Sequence, residues 1–396
     1  MRVSDLHPIL RATAEPVPGR GGVFAVVPVL LPQSVDISGC EALFTQARFE
    51  HAQLQAELGQ YPHVGLLLRM LNRREAVDSS QIEGISTGYD DLELYEIDRH
   101  SESEAGSDSE VTLAYVTAFH WGLQEVEARG REGLTLDLIT GIHARLMESQ
   151  PDATPGAVRD RQNFIGRNFT DARYVPPPAA MLPGLLENLQ RFLQWDFDDQ
   201  REPSIFLRTA VAHVQFEAIH PFLDGNGRVG RLLLPLMFAA ENEVPIHLAS
   251  FLKLRRDDYY AALLDVQMRL NWQPWLTLYL ECVIASCRHT RQLVQNCMRL
   301  RAEWASNIRV RSDSVVPRIL DRLLGSPYVT VNDLAEQLNV SFPAANNAIQ
   351  RLVEHGVLRP VSKQRRNRVF FAHQVTNLLM TGLDSALQAA QERPGW

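Results

Sequence analysis

The sequence predicts a mainly α-helical protein, with one β-hairpin set into the helical part and a smaller α+β module at its C-terminal end. Three observations carry that prediction. Over residues 40–308 apolar residues recur mostly at three- and four-residue spacing, the period of helices with one buried face. Strand-like alternation is confined to residues 151–178 and 359–371. Caps and breakers fall between the periodic segments, as at Gly84, Gly356 and the Thr330/Asp333 pair.

Residues 16–32 are rich in proline and glycine and read as an extended arm. Residues 40–58 suit a helix through Leu43, Phe44, Ala47, Leu54 and Leu58. Residues 64–83 suit another, with Leu66, Leu67, Met70, Leu71 and Ala76 on one face, a break near Asn72 and Gly84 at its end. Residues 89–110 are acidic and serine-rich; they read as a spacer between two helical lobes, solvated in its second half. Helices follow at 111–126 and 134–147. Residues 151–178 contain Pro155-Gly156, a polar tip and three closing prolines, and read as a β-hairpin. Residues 182–195 and 203–218 are helical, and 249–265 form one helix carrying Tyr259 and Tyr260. Trp272, Trp275 and residues 276–283 read as core, and 292–308 as a long helix leading to a separate module. The expected organisation is an N-terminal arm and helical region (1–110), a main helical domain (111–290), a linker helix (291–310) and a C-terminal domain with a tail (311–396).

Bulk properties narrow the function. A chain of 396 residues has room for two or three domains. A net charge of −8 excludes a generic nucleic-acid binder for the whole molecule. Four cysteines without a C-x-x-C pair point to reduced thiols and a cytoplasmic location. The opening MRVSDLHPIL lacks the apolar core of a signal peptide, and no apolar run approaches membrane-spanning length.

The chemistry concentrates in residues 219–231, IHPFLDGNGRVGR. Gly225, Asn226 and Gly227 precede an apolar run and should form the turn that opens a helix, with Gly230 and Pro235 as interruptions in it. The first amides of a helix lack internal partners and sit at the positive end of its dipole, so they suit an anion. Arg228 and Arg231 are three apart and reach the same polyanion. His220 titrates near neutrality and suits a base, and Asp224 suits a hard cation such as Mg2+. Base, metal carboxylate, amide cradle and paired arginines together describe phosphoryl or nucleotidyl transfer. Gly225, Gly227 and Gly230 also satisfy G-x-G-x-x-G, but a helix precedes them where a dinucleotide site needs a strand. His213, His220 and Asp224 are an alternative set of transition-metal ligands.

The string resembles the signature of the Fic family, H-x-F-x-[D/E]-G-N-G-R-x-x-R, at His220, Phe222, Asp224, Gly225, Asn226, Gly227, Arg228 and Arg231. The resemblance implies a Fic-type helical bundle with a β-hairpin flap. It also implies transfer of AMP from ATP to a Ser, Thr or Tyr hydroxyl of a target protein, or of the chain itself. His220 would deprotonate the acceptor, Asp224 would bind Mg2+, and Gly225, Asn226, Gly227 and Arg228 would line the anion hole. Arg231 would clamp the γ-phosphate, and Phe222 would anchor the core. Tyr260, and less so Tyr259, would border the adenine. Ile165, Gly166 and residues 174–176 of the flap would hold the target backbone by strand addition. The earlier string Ser79-Ser80-Gln81-Ile82-Glu83-Gly84 resembles the family's inhibitory motif [S/T]-x-x-x-E-[G/N]. There Ser79, Glu83 and Gly84 would form a brake in which Glu83 pairs with Arg231 and occupies the γ-phosphate's place. Many relatives form homodimers. Removal of AMP, with Glu83 positioning water, and a different nucleotide or phosphocholine donor stay open.

The C-terminal part reads as helices at 316–324, 330–338 and 341–355, then two short strands at 359–371 with a basic tip of Lys363, Arg365, Arg366 and Arg368. It resembles winged-helix domains. That implies either DNA binding, with Asn346, Asn347, Gln350 and Arg351 as readers and the tip on phosphates, or docking of a protein. Two function classes therefore stand: a protein adenylyltransferase restrained by Glu83, and a DNA-binding regulator with a secondary Fic activity.

Overall fold

Side-chain caps set where the helices begin. Ser107, Thr135, Ser204, Thr330 and Ser341 each accept a hydrogen bond from the amide three residues on, and each opens a helix. The computed structural model describes residues 3–61, 64–97, 107–169, 171–198, 200–308, 314–361 and 368–392. The N-terminal region contains α1 (Pro8–Ala12), β1 (Glu15–Pro16), β2 (Phe24–Ala25), α2 (Glu41–Leu58), α3 (Val64–Ile82) and α4 (Tyr89–Ile97). Then come α5 (Asp108–Arg129), α6 (Leu136–Leu146), the hairpin β3 (Ile165–Gly166) and β4 (Ala172–Tyr174), α7 (Leu182–Gln194), α8 (Ile205–Ile219) and α9 (Asn226–Ala240). The remainder is α10 (Ala249–Leu254), α11 (Arg256–Arg269), α12 (Gln273–Asn307), α13 (Val316–Leu323), β5 (Tyr328–Thr330), α14 (Val331–Gln337), α15 (Phe342–Glu354), β6 (Arg359–Pro360), β7 (Val369–Phe371), α16 (His373–Met380) and α17 (Leu383–Gln391).

The protein is mainly helical, as its apolar spacing requires. Helices α8 and α9 are buried along almost their whole length, so apolar residues occur on every face and the polar ones among them, such as Arg208, His213, Glu217 and Arg231, are buried too. They lie inside a shell of α5, α6, α7, α11 and α12. Helix α2 lies along α12, where Glu50 meets Arg288 and Arg291 at 2.7 and 3.1 Å. At the C-terminal end α13 to α15 pack with an antiparallel sheet of order β5-β7-β6.

Five sequence expectations are revised. Helix α3 runs through Asn72 without a break, because Asn72 turns its amide to His247 Nε2 at 2.7 Å instead of to its own backbone. Residues 89–97 are not spacer but α4, whose Glu93 is buried against Arg73 at 2.9 Å; residues 98–106 lie outside the described residues. Residues 249–265 divide into α10 and α11 at Arg255, which pairs with Asp258 in the acidic first turn of α11. The segment from 292 is the second half of α12, a single helix of 35 residues with Pro274 in its first turn and neither glycine nor proline beyond. The chain after Phe371, read as a tail, folds into α16 and α17, and Trp304 of α12 donates to Gln374 of α16 at 2.9 Å.

The C-terminal module is seated directly on α3. Gly325 lies against the Leu66 carbonyl, so closely that no β-carbon fits, and Arg74 donates to the Leu379 carbonyl. The basic tip residues Lys363, Arg365 and Arg366 lie outside the described residues.

Burial depresses several imidazoles: His143, His220, His247 and His289 to about 4 and His213 to about 3. Unfolding lets each take a proton near its ordinary value, so the stability they confer is full above about pH 6.5 and is lost as pH falls toward 4. Thermal unfolding followed by calorimetry should show the melting temperature dropping steadily across that window. A melting temperature independent of pH there would contradict buried neutral imidazoles.

Candidate active site

The loop between α8 and α9 is held by groups far apart in sequence. His220 ends α8 in the left-handed region, at φ 49°, and its carbonyl accepts Arg159 Nε at 2.9 Å. Arg159 also donates to the Pro177 carbonyl at 2.7 Å, so one buried guanidinium joins the hairpin's base to the loop. The Asn226 side chain bonds both the amide and the carbonyl of Phe222 at 2.9 Å. The His143 ring stacks on Phe222 at 3.7 Å. Gly156 N–H donates to its Nδ1 at 2.9 Å, so its Nε2–H donates to the Asp224 carbonyl at 3.1 Å. Gly225 caps α9 at φ 76° with Met147 Sδ pressed against its α-carbon, where no side chain fits. The amides of Asn226, Gly227 and Arg228 then open the helix with no internal partner.

Arg231, one turn on, is wholly buried. Its Nε donates to Ser79 Oγ at 2.9 Å, and its Nη2 to the Ser79 carbonyl at 3.0 Å and to Glu83 Oε1 at 2.6 Å. Burial works against this charge, and Glu83 more than offsets it, so the guanidinium is held above its usual range. Glu83 lies in the turn after α3, and Gly84 follows at φ 88°. Gly227 makes the contact possible, since a β-carbon there would overlap the Glu83 carboxylate. Helix α3 is itself fastened to α10: Asp78 takes Ser250 Oγ at 2.5 Å and Lys253 Nζ at 2.8 Å.

A cavity of about 820 Å³ brings together Glu83, His220, Gly227, Arg231, Tyr260 and Ile165 of the hairpin. Asp224, Gly225, Asn226 and Arg228 form the turn beside it and do not line it; Gly166 lies one residue along the hairpin, and Ser79 and Gly84 stand behind Glu83. The buried Arg228 guanidinium is turned toward Met147 Sδ at 3.3 Å. Tyr259 is tied into the core: its hydroxyl donates to His213 Nε2 at 2.8 Å, while His213 Nδ1 donates to the Gly230 carbonyl at 3.0 Å. With both ring nitrogens engaged, His213 is no metal ligand, and no three-residue metal cluster exists among the described residues. In the hairpin Ile165 pairs with Tyr174 and Gly166 with Ala172, and the Tyr174 hydroxyl donates to the Ala218 carbonyl at 3.1 Å.

Burial holds the His220 imidazole at about 4, and Arg159 adds to that shift. It is therefore neutral, and able to accept a proton, throughout the physiological range. Reading the sequence alone missed His143, the anchoring role of Arg159 and the carboxylate of Glu217. His143 and Arg159 are brought to the loop only by packing, whereas Glu217 lies one helical turn before His220 and its place against Gly230 is set by the packing of α8 on α9.

Residues 133–238 match the family model described as Fic/DOC family, and residues 42–124 match that of the Fic/DOC family N-terminal region. This chain carries a Fic domain. Residues 314–359 match a model described as winged helix-turn-helix DNA-binding. Among curated relatives, the protein adenylyltransferase fic-1 of Caenorhabditis elegans is 31% identical over 138 residues, 34% of this chain and 25% of the relative. A probable protein adenylyltransferase of Aquifex aeolicus is 29% identical over 211 residues, 52% of this chain and 59% of the relative. The chain thus spans a quarter of the first and about three-fifths of the second. Two solved structures resemble the fold, each with a TM-score of 0.52: Fic-1 from C. elegans, at 20% identity over 64% of this chain and 73% of the other, and a Fic domain containing signaling protein from Bacteroides thetaiotaomicron, at 19% over 63% and 96%. The Fic domain here occupies the centre of the chain, with the winged helix resting on α3.

Proposed function

We propose that this chain is a protein adenylyltransferase that moves AMP from ATP to a hydroxyl side chain of a protein, and that Glu83 restrains it. The observation that supports this best is the joint placement of a neutral imidazole, an open helix N-terminus and a buried arginine around one cavity. His220 accepts the proton of the acceptor hydroxyl. The oxygen attacks the α-phosphorus, the bond to the β-phosphate oxygen breaks, and pyrophosphate leaves. The amides of Asn226, Gly227 and Arg228 hold phosphate oxygens, and Arg231 receives the terminal phosphate once Glu83 has withdrawn. Asp224 suits Mg2+: it is exposed, one carboxylate oxygen accepts the Gly225 amide at 2.7 Å, and the other makes no hydrogen bond among the described residues. When bound, the ion neutralises phosphate charge. Tyr260 lies at the cavity wall where a base would stack, with Arg256 over its ring at 5.7 Å. The test is incubation with ATP and Mg2+, alone and in a lysate, followed by mass spectrometry for AMP on proteins. Absence of AMP, even after Glu83 is replaced, would overturn the assignment.

A second reading concerns the C-terminal module. Its match to a DNA-binding model and the open faces of Phe342 and Asn347 on α15 favour duplex binding. Fluorescence anisotropy with labelled duplex should then show binding that weakens steeply with salt. No binding at low salt would leave the module as a docking platform for protein.

A further inference from the structure

Gly227 and Gly230 stand one turn apart on α9, and each marks the place of a carboxylate. The missing β-carbon of Gly227 leaves room for Glu83, and Arg231 Nη1 lies 3.0 Å from that same position. The missing β-carbon of Gly230 leaves room for Glu217 Oε1. Glu217 comes from α8, one turn before His220; it is 7% exposed and lines the same cavity. Its Oε1 is buried without a hydrogen-bond partner, and so is Arg231 Nη1. A buried carboxylate and a buried guanidinium nitrogen, both unpaired and facing one cavity, are each costly to keep so. Burial raises the Glu217 carboxyl to about 7; the charge of Arg231 works against that shift and the charge of Glu83 adds to it, so withdrawal of Glu83 favours the ionised form.

Resting on the nucleotide reading above, we infer that Glu217 is a second internal counter-ion for Arg231, competing with the terminal phosphate for the guanidinium once Glu83 has withdrawn. The geometry gives Arg231 two candidate carboxylates, from α3's end and from α8. While Glu83 holds Nη2, Glu217 stays unpaired beside it. When Glu83 leaves, the fully buried Arg231 would keep only neutral neighbours on this side, Ser79 and the Tyr259 hydroxyl, and Glu217 is the acidic side chain that shares its cavity from the adjoining helix. A nucleotide must then displace Glu217 as well as overcome its negative charge. Glu217 is a positioning residue in this scheme, because it acts through Arg231 and does not touch the reacting atoms.

The experiment uses the full chain with Glu83→Gly, alone and combined with Glu217→Gln or with Glu217→Met, which has similar length and no charge. Mg-ATP affinity is measured by calorimetry, and KM for ATP and kcat by AMP incorporation. Removing the competing charge should tighten Mg-ATP binding roughly 5-fold or more in both double variants, lowering KM while kcat moves less. Folding of each variant is checked by thermal unfolding. Unchanged or weaker affinity in a folded double variant would overturn the inference alone. Failure of the Glu83→Gly chain itself to bind Mg-ATP would overturn the nucleotide reading, and this inference with it.

Discussion

Glu83→Gly should raise AMP incorporation at least tenfold, a change of about 1.4 kcal/mol. The physical reason is the environment of Arg231. A fully buried guanidinium needs an anion, and stripping a buried pair of one partner costs about 3–5 kcal/mol. In this structure Glu83 provides that anion at 2.6 Å, with Ser79 fixing the guanidinium from behind. On the proposed reading a terminal phosphate can use Arg231 only by displacing Glu83, so the wild-type chain should bind the nucleotide weakly or without that clamp. Glu83 lies beyond the last residue of α3, so glycine there removes the carboxylate without interrupting a helix. The assay is transfer from ATP labelled at the α-phosphate, with wild type and variant side by side. Equal incorporation would end the idea of a brake while leaving the transferase assignment standing.

His220→Ala, made in the Glu83→Gly background, should cut transfer by roughly 100- to 10,000-fold, the usual worth of a positioned general base. Mg-ATP affinity should change little, because the phosphate-facing amides belong to α9. The left-handed backbone at His220 is a complication for alanine, costing about 1–2 kcal/mol. His220→Asn tolerates that conformation better and separates chemistry from strain: both variants should lose transfer and keep binding. A depressed imidazole also sets the pH dependence. A base at about 4 is already neutral at pH 5, so its titration contributes no rise in rate between pH 6 and 8. Transfer retained in both His220 variants would remove this residue from the mechanism.

Legibility followed distance along the chain. The turn at Gly225 and the open amides of α9 were readable because all the needed residues lie within a few positions of one another. Gly230 was legible only as an interruption; its use appears when Glu217 of α8 is seen against it. Helix α4 and the split at Arg255 were hidden for a related reason. Arg73 pairs with Glu93 and Arg255 with Glu281, contacts that periodicity does not encode.

Sequence by itself determined the helical class, the hairpin within it and the glycine-opened helix, because caps, glycine conformation and helical period act within one or two turns. Tertiary structure alone decided that α3 delivers Glu83 to Arg231 across 148 positions, that Glu217 faces the same cavity, and that the C-terminal module is pressed onto α3. Those outcomes depend on which apolar faces pack against which, and a charge buried by that packing must find its partner among whatever side chains arrive.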